Sequence, residues 1–155
     1  MRSATALPVR IVCIVALALG CASAGESTPP VLDAFFLDGR RTQSLAALAD
    51  SETLGPGEAF RLREIGRDAH SSHHIVWIRD REVPHTHERH DLWVVILRGH
   101  GTMRLGDEER PVGEGSVLYV PRGTAHAFRN LSGEVAAAYA VYAPAFDGRD
   151  RVDVE

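Results

Sequence analysis

Lysine is absent from this 155-residue chain: all 17 basic residues are arginine. That removes Schiff-base catalysis and the phosphate loops that depend on a lysine. Cysteine is nearly absent, since Cys13 and Cys21 are the only two. There is no Ser/His/Asp signature and no obvious acid and base pair. A formal net charge of −4 gives no electrostatic reason to expect a nucleic-acid partner. The apolar run from Ile11 to Leu19 is too short to span a bilayer as a mature helix. What remains is an ordinary globular composition, 45% hydrophobic, with room for one domain and a buried core.

The first 25 residues read as an export segment. Arg2 and Arg10 are the only charges ahead of Glu26, and small residues close the apolar run in Gly20-Cys21-Ala22-Ser23-Ala24. Two cleavage readings stay open. Leu17-Ala18-Leu19-Gly20-Cys21 resembles a bacterial lipobox, which makes Cys21 a lipidated first residue and attaches the chain to a membrane through that lipid alone. Ala22-Ser23-Ala24 instead fits a signal-peptidase site and yields a soluble exported protein. Either way the expected location is the periplasm or cell envelope, and no disulfide is left to the mature chain. Removing Arg2 and Arg10 from the 17 basic residues leaves 15 against 21 acidic ones, a formal −6.

Residues 26–57 form a tether and N-terminal extension. Leu45, Leu48 and Ala49 have helical spacing behind Thr42 or Ser44 as a cap, which predicts one short helix. Gly55-Pro56-Gly57 breaks the chain. Beyond it, short runs alternate with a period of two: Ala59 to Ile65, His74 to Arg79, Leu92 to Arg98, Thr102 to Leu105, Val117 to Val120, Ala125 to Asn130 and Val135 to Tyr142. Gly106 to Glu109 reads as a hairpin tip. Such strands at intervals of about eight to twelve residues predict an all-β sandwich or barrel over 58–146. Residues 147–155 read as a charged surface tail.

Pro84-His85-Thr86-His87-Glu88-Arg89-His90-Asp91 is the stretch richest in chemistry. On an extended strand His85 and His87 point to the same side, which is how a sheet aims two ring nitrogens at one ion. Neutral imidazole suits zinc, copper, iron and nickel. The partner stretch is Gly115 to Asn130, where Pro121 and Gly123 fit a tight turn and His126 enters the next strand pointing inward.

With both stretches in view, the sequence resembles the cupin superfamily. His85-x-His87 opens the first cupin motif and Gly99 closes it. Gly115, Pro121, Gly123, His126 and Asn130 stand at the marked positions of the second. The resemblance covers about Ala59 to Tyr142. It implies a double-stranded β-helix, or jelly-roll barrel, with a short helical segment ahead of it. It also implies one divalent transition metal (iron, manganese, nickel, copper or zinc) held by His85, His87, His126 and a motif-one Glu. Here the pattern departs. Counted back from Gly99 the Glu position is Leu92; counted forward from His87 it is Asp91, which is the carboxylate expected to complete the set. Two His with a carboxylate suits iron and oxygen chemistry, whereas three His alone is closer to zinc or copper.

Three functional readings follow. The chain is a metal-dependent enzyme on a small molecule, dioxygenase- or isomerase-like, its ion polarising a substrate oxygen or activating O₂ or water. Or it is a non-catalytic module that binds or senses a small ligand or metal. Or it is a structural cupin that has lost its metal and acts through its surface, with a homodimer among its forms, since cupins often pair through strands. Trp77, Trp93, Tyr119 and Phe128 are candidate cavity walls. Arg98 and Arg104 are candidates for a substrate carboxylate, and His90 is a candidate neighbour of the ligands.

Overall fold

The computed structural model describes residues 33–35 and 42–154. The export segment, the two readings of Cys21 and the stretch 26–30 lie outside the described residues. Strand β1 (Asp33–Phe35) pairs antiparallel with β2 (Thr42–Ser44), and helix α1 (Leu45–Asp50) follows directly. Ser44 caps the helix, its hydroxyl accepting the Ala47 N–H at 3.3 Å. Leu45, Leu48 and Ala49 are buried, as their spacing predicts.

The barrel strands are β3 (Phe60–Arg67), β4 (Ser72–Ile78), β5 (His85–Thr86), β6 (Asp91–Arg98), β7 (His100–Leu105), β8 (Glu108–Gly113), β9 (Val117–Val120), β10 (His126–Asn130), β11 (Ala136–Ala143) and β12 (Val152–Asp153). They form two five-stranded antiparallel sheets, in the orders β3-β4-β11-β6-β9 and β12-β5-β10-β7-β8. In the first sheet the inward positions of the central strands are apolar: Val76 and Ile78 on β4, Leu92 and Ile96 on β6, Ala136, Ala138 and Ala140 on β11. They meet Met103, Val112 and Phe128 from the second sheet in one core. The alanines matter here. Their short side chains leave room between the sheets, and that room is the cavity described below.

The outer face of the same sheet is also apolar, which explains the helix. Ile75, Trp77 and Ala137 point away from the barrel interior and are covered by Leu45, Leu48, Ala49 and Leu54. Trp77 is fully buried there and donates its indole N–H to the Ala49 carbonyl at 2.9 Å. It is thus part of a second core behind the sheet and does not line the cavity.

Strands β1, β2, β8 and β12 are not among the runs that the sequence marks. The expected hairpin tip is shorter than the sequence suggests, because the chain turns at Gly106-Asp107 and pairs again from Glu108. Strand β8 tolerates Pro111 because it is an edge strand. The C-terminal run is exposed at Asp147 to Arg149 and at Arg151 to Asp153, and it also makes contacts that its sequence does not announce. The residues read as a surface tail fold back over the barrel, β12 pairing with β5 so that Asp153 stands opposite His85 and Val152 opposite Thr86. Asp150 is buried in the process.

Candidate metal centre

The second sheet brings the two histidine stretches together. His126 on β10 stands directly opposite His85 on β5. His87 follows two residues later, where its carbonyl accepts the Gly123 N–H at 2.8 Å. Gly123 takes φ +75°, a left-handed conformation that favours glycine, so the tight turn expected ahead of His126 also clamps the first stretch to the second. All three histidines are buried, and one ring nitrogen from each lies within 4.8 Å of the others.

Their hydrogen bonds decide which nitrogen that is. His85 Nδ1 lies 2.9 Å from the Val83 carbonyl, His126 Nδ1 2.9 Å from the Thr124 carbonyl, and His87 Nδ1 2.6 Å from the Asp150 carbonyl. A carbonyl oxygen only accepts, so each Nδ1 carries the hydrogen and each Nε2 keeps its lone pair. This is the arrangement that orients metal-ligating imidazoles: the outer nitrogen is pinned and the inner one keeps its lone pair, which on His85 accepts from Arg151. His87 Nε2 is buried with no hydrogen-bond partner among the described residues. An unpaired buried acceptor is costly unless something fills it.

Burial also keeps the rings uncharged. It pushes the His85 pKa down to about 3, helped by His126 and Arg151, and that of His126 down to about 4; His87 is lowered for the same reason. Between a pH near the ordinary 6.5 and the depressed native values, the unfolded chain takes up protons that the folded one refuses. Stability present above that interval is therefore lost as pH falls through it. For His85 alone the loss between pH 7 and pH 5 is about 2 kcal/mol. Urea titrations of metal-free protein at the two pH values should show a clear drop in midpoint at the lower one. Equal midpoints would mean that the histidines are not held neutral by burial.

Asp91, expected as the fourth ligand, is not brought to the cluster. Neighbouring residues on a strand face opposite ways, and β6 turns Leu92 inward, so Asp91 points out. Its carboxylate accepts from the Arg122 backbone N–H at 3.0 Å and from the guanidinium at 2.8 and 3.2 Å. The Arg122 hydrogen bonds hold its pKa at about 2. Leu92 is the residue that occupies the inward position, against the cavity.

The residues that sequence reasoning missed come from the tail. Asp150 is 4% exposed, yet it accepts from the Arg89 N–H at 2.8 Å, the Glu88 N–H at 3.1 Å and His90 Nδ1. Burial alone raises its pKa, but the hydrogen bonds from His90 and Arg89 outweigh that and hold it at about 2. Its carbonyl is the one that orients His87. Next to it, Arg151 reaches the cluster itself, with Nη1 3.2 Å from His85 Nε2. The only signal for a strand here is the alternation of Val152, Asp153 and Val154 in a run otherwise dominated by charge.

A family model described as "Cupin domain" matches residues 68–142. An uncharacterized protein of Aquifex aeolicus is 35% identical over 104 residues, 67% of this chain and 85% of that one. The chain belongs to the cupin superfamily. Its fold matches that of a Klebsiella pneumoniae protein with a double-stranded β-helix domain (14% identity, 69% of this chain and 94% of that one, TM-score 0.59). It also matches a Streptomyces Pac13 variant with uridine (22%, 63% and 79%, TM-score 0.54). Pac13 is described as a nucleoside dehydratase. At these identities the structural matches speak for the jelly roll only.

The cavity of this cupin lies between the sheets and reaches the histidines. Its walls include Ile78, Leu92, Met103, Phe128, Tyr142 and the acid Glu82, whose side chain is 12% exposed. Phe128 is a wall as expected. Trp93 and Tyr119 are not: they pack against each other on the outer face, ring centroids 4.7 Å apart with the planes tilted by 33°, and both are exposed. Arg98 and Arg104 are also turned away, Arg98 onto Asp50 and the Val135 carbonyl, Arg104 onto the Gly106 carbonyl. His90 is buried beside the ligands through Asp150 and is not one of them.

Proposed function

We propose that this cupin holds one divalent transition metal on the Nε2 atoms of His85, His87 and His126, and acts as a metal-dependent enzyme on a small molecule bound in the cavity. The observation that carries the reading is the buried, unpartnered His87 Nε2 facing two other imidazoles whose outer nitrogens are pinned by carbonyls. Three neutral nitrogen ligands without a carboxylate favour zinc or copper, with iron and nickel next, over metals that prefer oxygen donors such as manganese. Bound there, the ion supplies Lewis-acid polarisation of a substrate oxygen. The chain supplies a largely apolar enclosure, the Tyr142 hydroxyl and the Glu82 carboxyl, and burial pushes the pKa of both groups up. Nucleoside chemistry by Pac13 is a precedent for enzymes on this fold, not for this substrate.

The metal reading predicts stabilisation by mass action. Zinc at a hundred times its dissociation constant adds about 2.7 kcal/mol to unfolding. Chelator-treated protein should therefore melt several degrees higher when one equivalent of zinc or copper is restored. An unchanged melting temperature across a metal series would refute the assignment. A non-catalytic binding module is the second reading, favoured by the apolar Leu92 where the motif carries a Glu. Turnover of any small molecule by the metal-loaded protein separates the two. We also place the mature chain outside the cytoplasm on the pattern of its first 25 residues. An intact mass that begins at Met1 in envelope preparations would count against that.

A further inference from the structure

One lone pair in the site has two claimants. Arg151 Nη1 lies 3.2 Å from His85 Nε2, the nitrogen that the metal reading needs. A guanidinium stays charged and only donates, so a bound ion displaces this hydrogen bond. The rest of the guanidinium is already engaged: Nε donates to Asp153 at 3.2 Å and Nη2 to the Val83 carbonyl at 3.2 Å. For Nη1 the remaining neighbour is Glu82, at 3.7 Å, too far for a good hydrogen bond. The β12–β5 pairing fixes the backbone of the following residues, and the Arg151 side chain, 34% exposed, is tied to Asp153 and the Val83 carbonyl through Nε and Nη2.

Charge points the same way. Three neutral imidazoles leave both positive charges of a divalent ion uncompensated, and Leu92 stands where a carboxylate would have offset one. Among the described residues Glu82 is the only acidic side chain in the cavity walls, and burial disfavours its charged form. A cation at the metal, a second at Arg151 and apolar walls beyond make a site for an organic anion.

We infer that Arg151 is a substrate-recognition residue: its Nη1 donates to the carboxylate of a small organic acid whose oxygen shares the metal, so the substrate class is carboxylic acids. The inference rests on the metal reading above and narrows it. It gives the folded-back tail a role in specificity.

The test uses full-length mature protein and two calorimetric titrations, run on wild type, Arg151→Gln and Arg151→Lys. Zinc is added first to the metal-free proteins, then propionate or benzoate, with the matching amides as neutral controls, to the zinc-loaded ones. Wild type should bind the acids and not the amides. Arg151→Gln should bind zinc at least as tightly, having lost a competing donor, while its affinity for the acids falls tenfold or more. Arg151→Lys, which keeps the charge but not the fork, should fall between and keeps the test alive should the glutamine variant not fold. Acid binding within twofold of wild type in the variants, or amides bound as well as acids, would overturn the role of Arg151 and leave the metal reading standing. Failure of wild type to take up zinc, copper, iron or nickel would remove both.

Discussion

His87→Ala is expected to abolish metal uptake, while Asp91→Ala leaves it unchanged. The contrast follows from the two sides of the β6 approach. His87 offers a buried nitrogen with no other partner, within 4.8 Å of those of His85 and His126. Removing it takes one of three donors, so the loss should exceed the ten- to hundredfold that an outer-shell partner alone costs. His85→Ala and His126→Ala should behave alike. The fold should survive, because the change removes one ring with a single hydrogen bond, to the Asp150 carbonyl, and leaves the apolar core between the sheets intact. Asp91 spends its carboxylate on Arg122 at the surface, and its replacement removes an exposed ion pair worth little. Far-ultraviolet circular dichroism and zinc or copper titrations of the four variants check this. Loss of metal in Asp91→Ala would show that the strand can rotate its carboxylate inward.

The second large effect is expected from a residue that offers the ion no ligand of its own. Asp150→Ala should lower stability by about 3 kcal/mol or more, because it leaves buried donors without their acceptor. The donors are the N–H groups of Glu88 and Arg89 and the His90 ring, all within the loop that carries His87. The same change frees the backbone whose carbonyl pins His87 Nδ1, so metal affinity should also fall by about ten- to a hundredfold. The stability effect is read from chemical denaturation of metal-free protein, the affinity effect from titration at a temperature where the variant is folded. Stability within 1 kcal/mol of wild type, with unchanged affinity, would mean that the tail only drapes over the barrel.

The parts of this molecule that obey a local rule were legible before its structure. Leu45, Leu48 and Ala49 announce a helix through their spacing, and the alternating runs announce strands whose ends are displaced by at most two residues. His85 and His87 share a side because the strand period is two, and Pro121 with Gly123 reads as the turn it is. The Asp91 question shows the limit of counting. Two ways of aligning one motif placed the carboxylate at 91 or at 92, and only the pairing of β6 with β9 and β11 decides which of the two faces inward. Trp93 and Tyr119 look like cavity aromatics, but the same alternation puts them outside. What could not be read at all is the tail. Asp150 and Arg151 lie in a charged run that solvation explains well enough. Their partners, Glu88 to His90 and Glu82 to His85, are sixty or more residues away in sequence, and no local propensity records such a contact.

The account stands or falls on whether the three imidazoles hold an ion. Elemental analysis of the mature protein, residues 26–155, purified without added metal and again after exposure to a mixture of zinc, copper, iron and nickel, measures this directly. The account predicts about one equivalent of transition metal per chain in at least the second sample, and none in the His87→Ala variant under the same treatment. Absence of metal in both wild-type samples, or equal metal in wild type and variant, would contradict it.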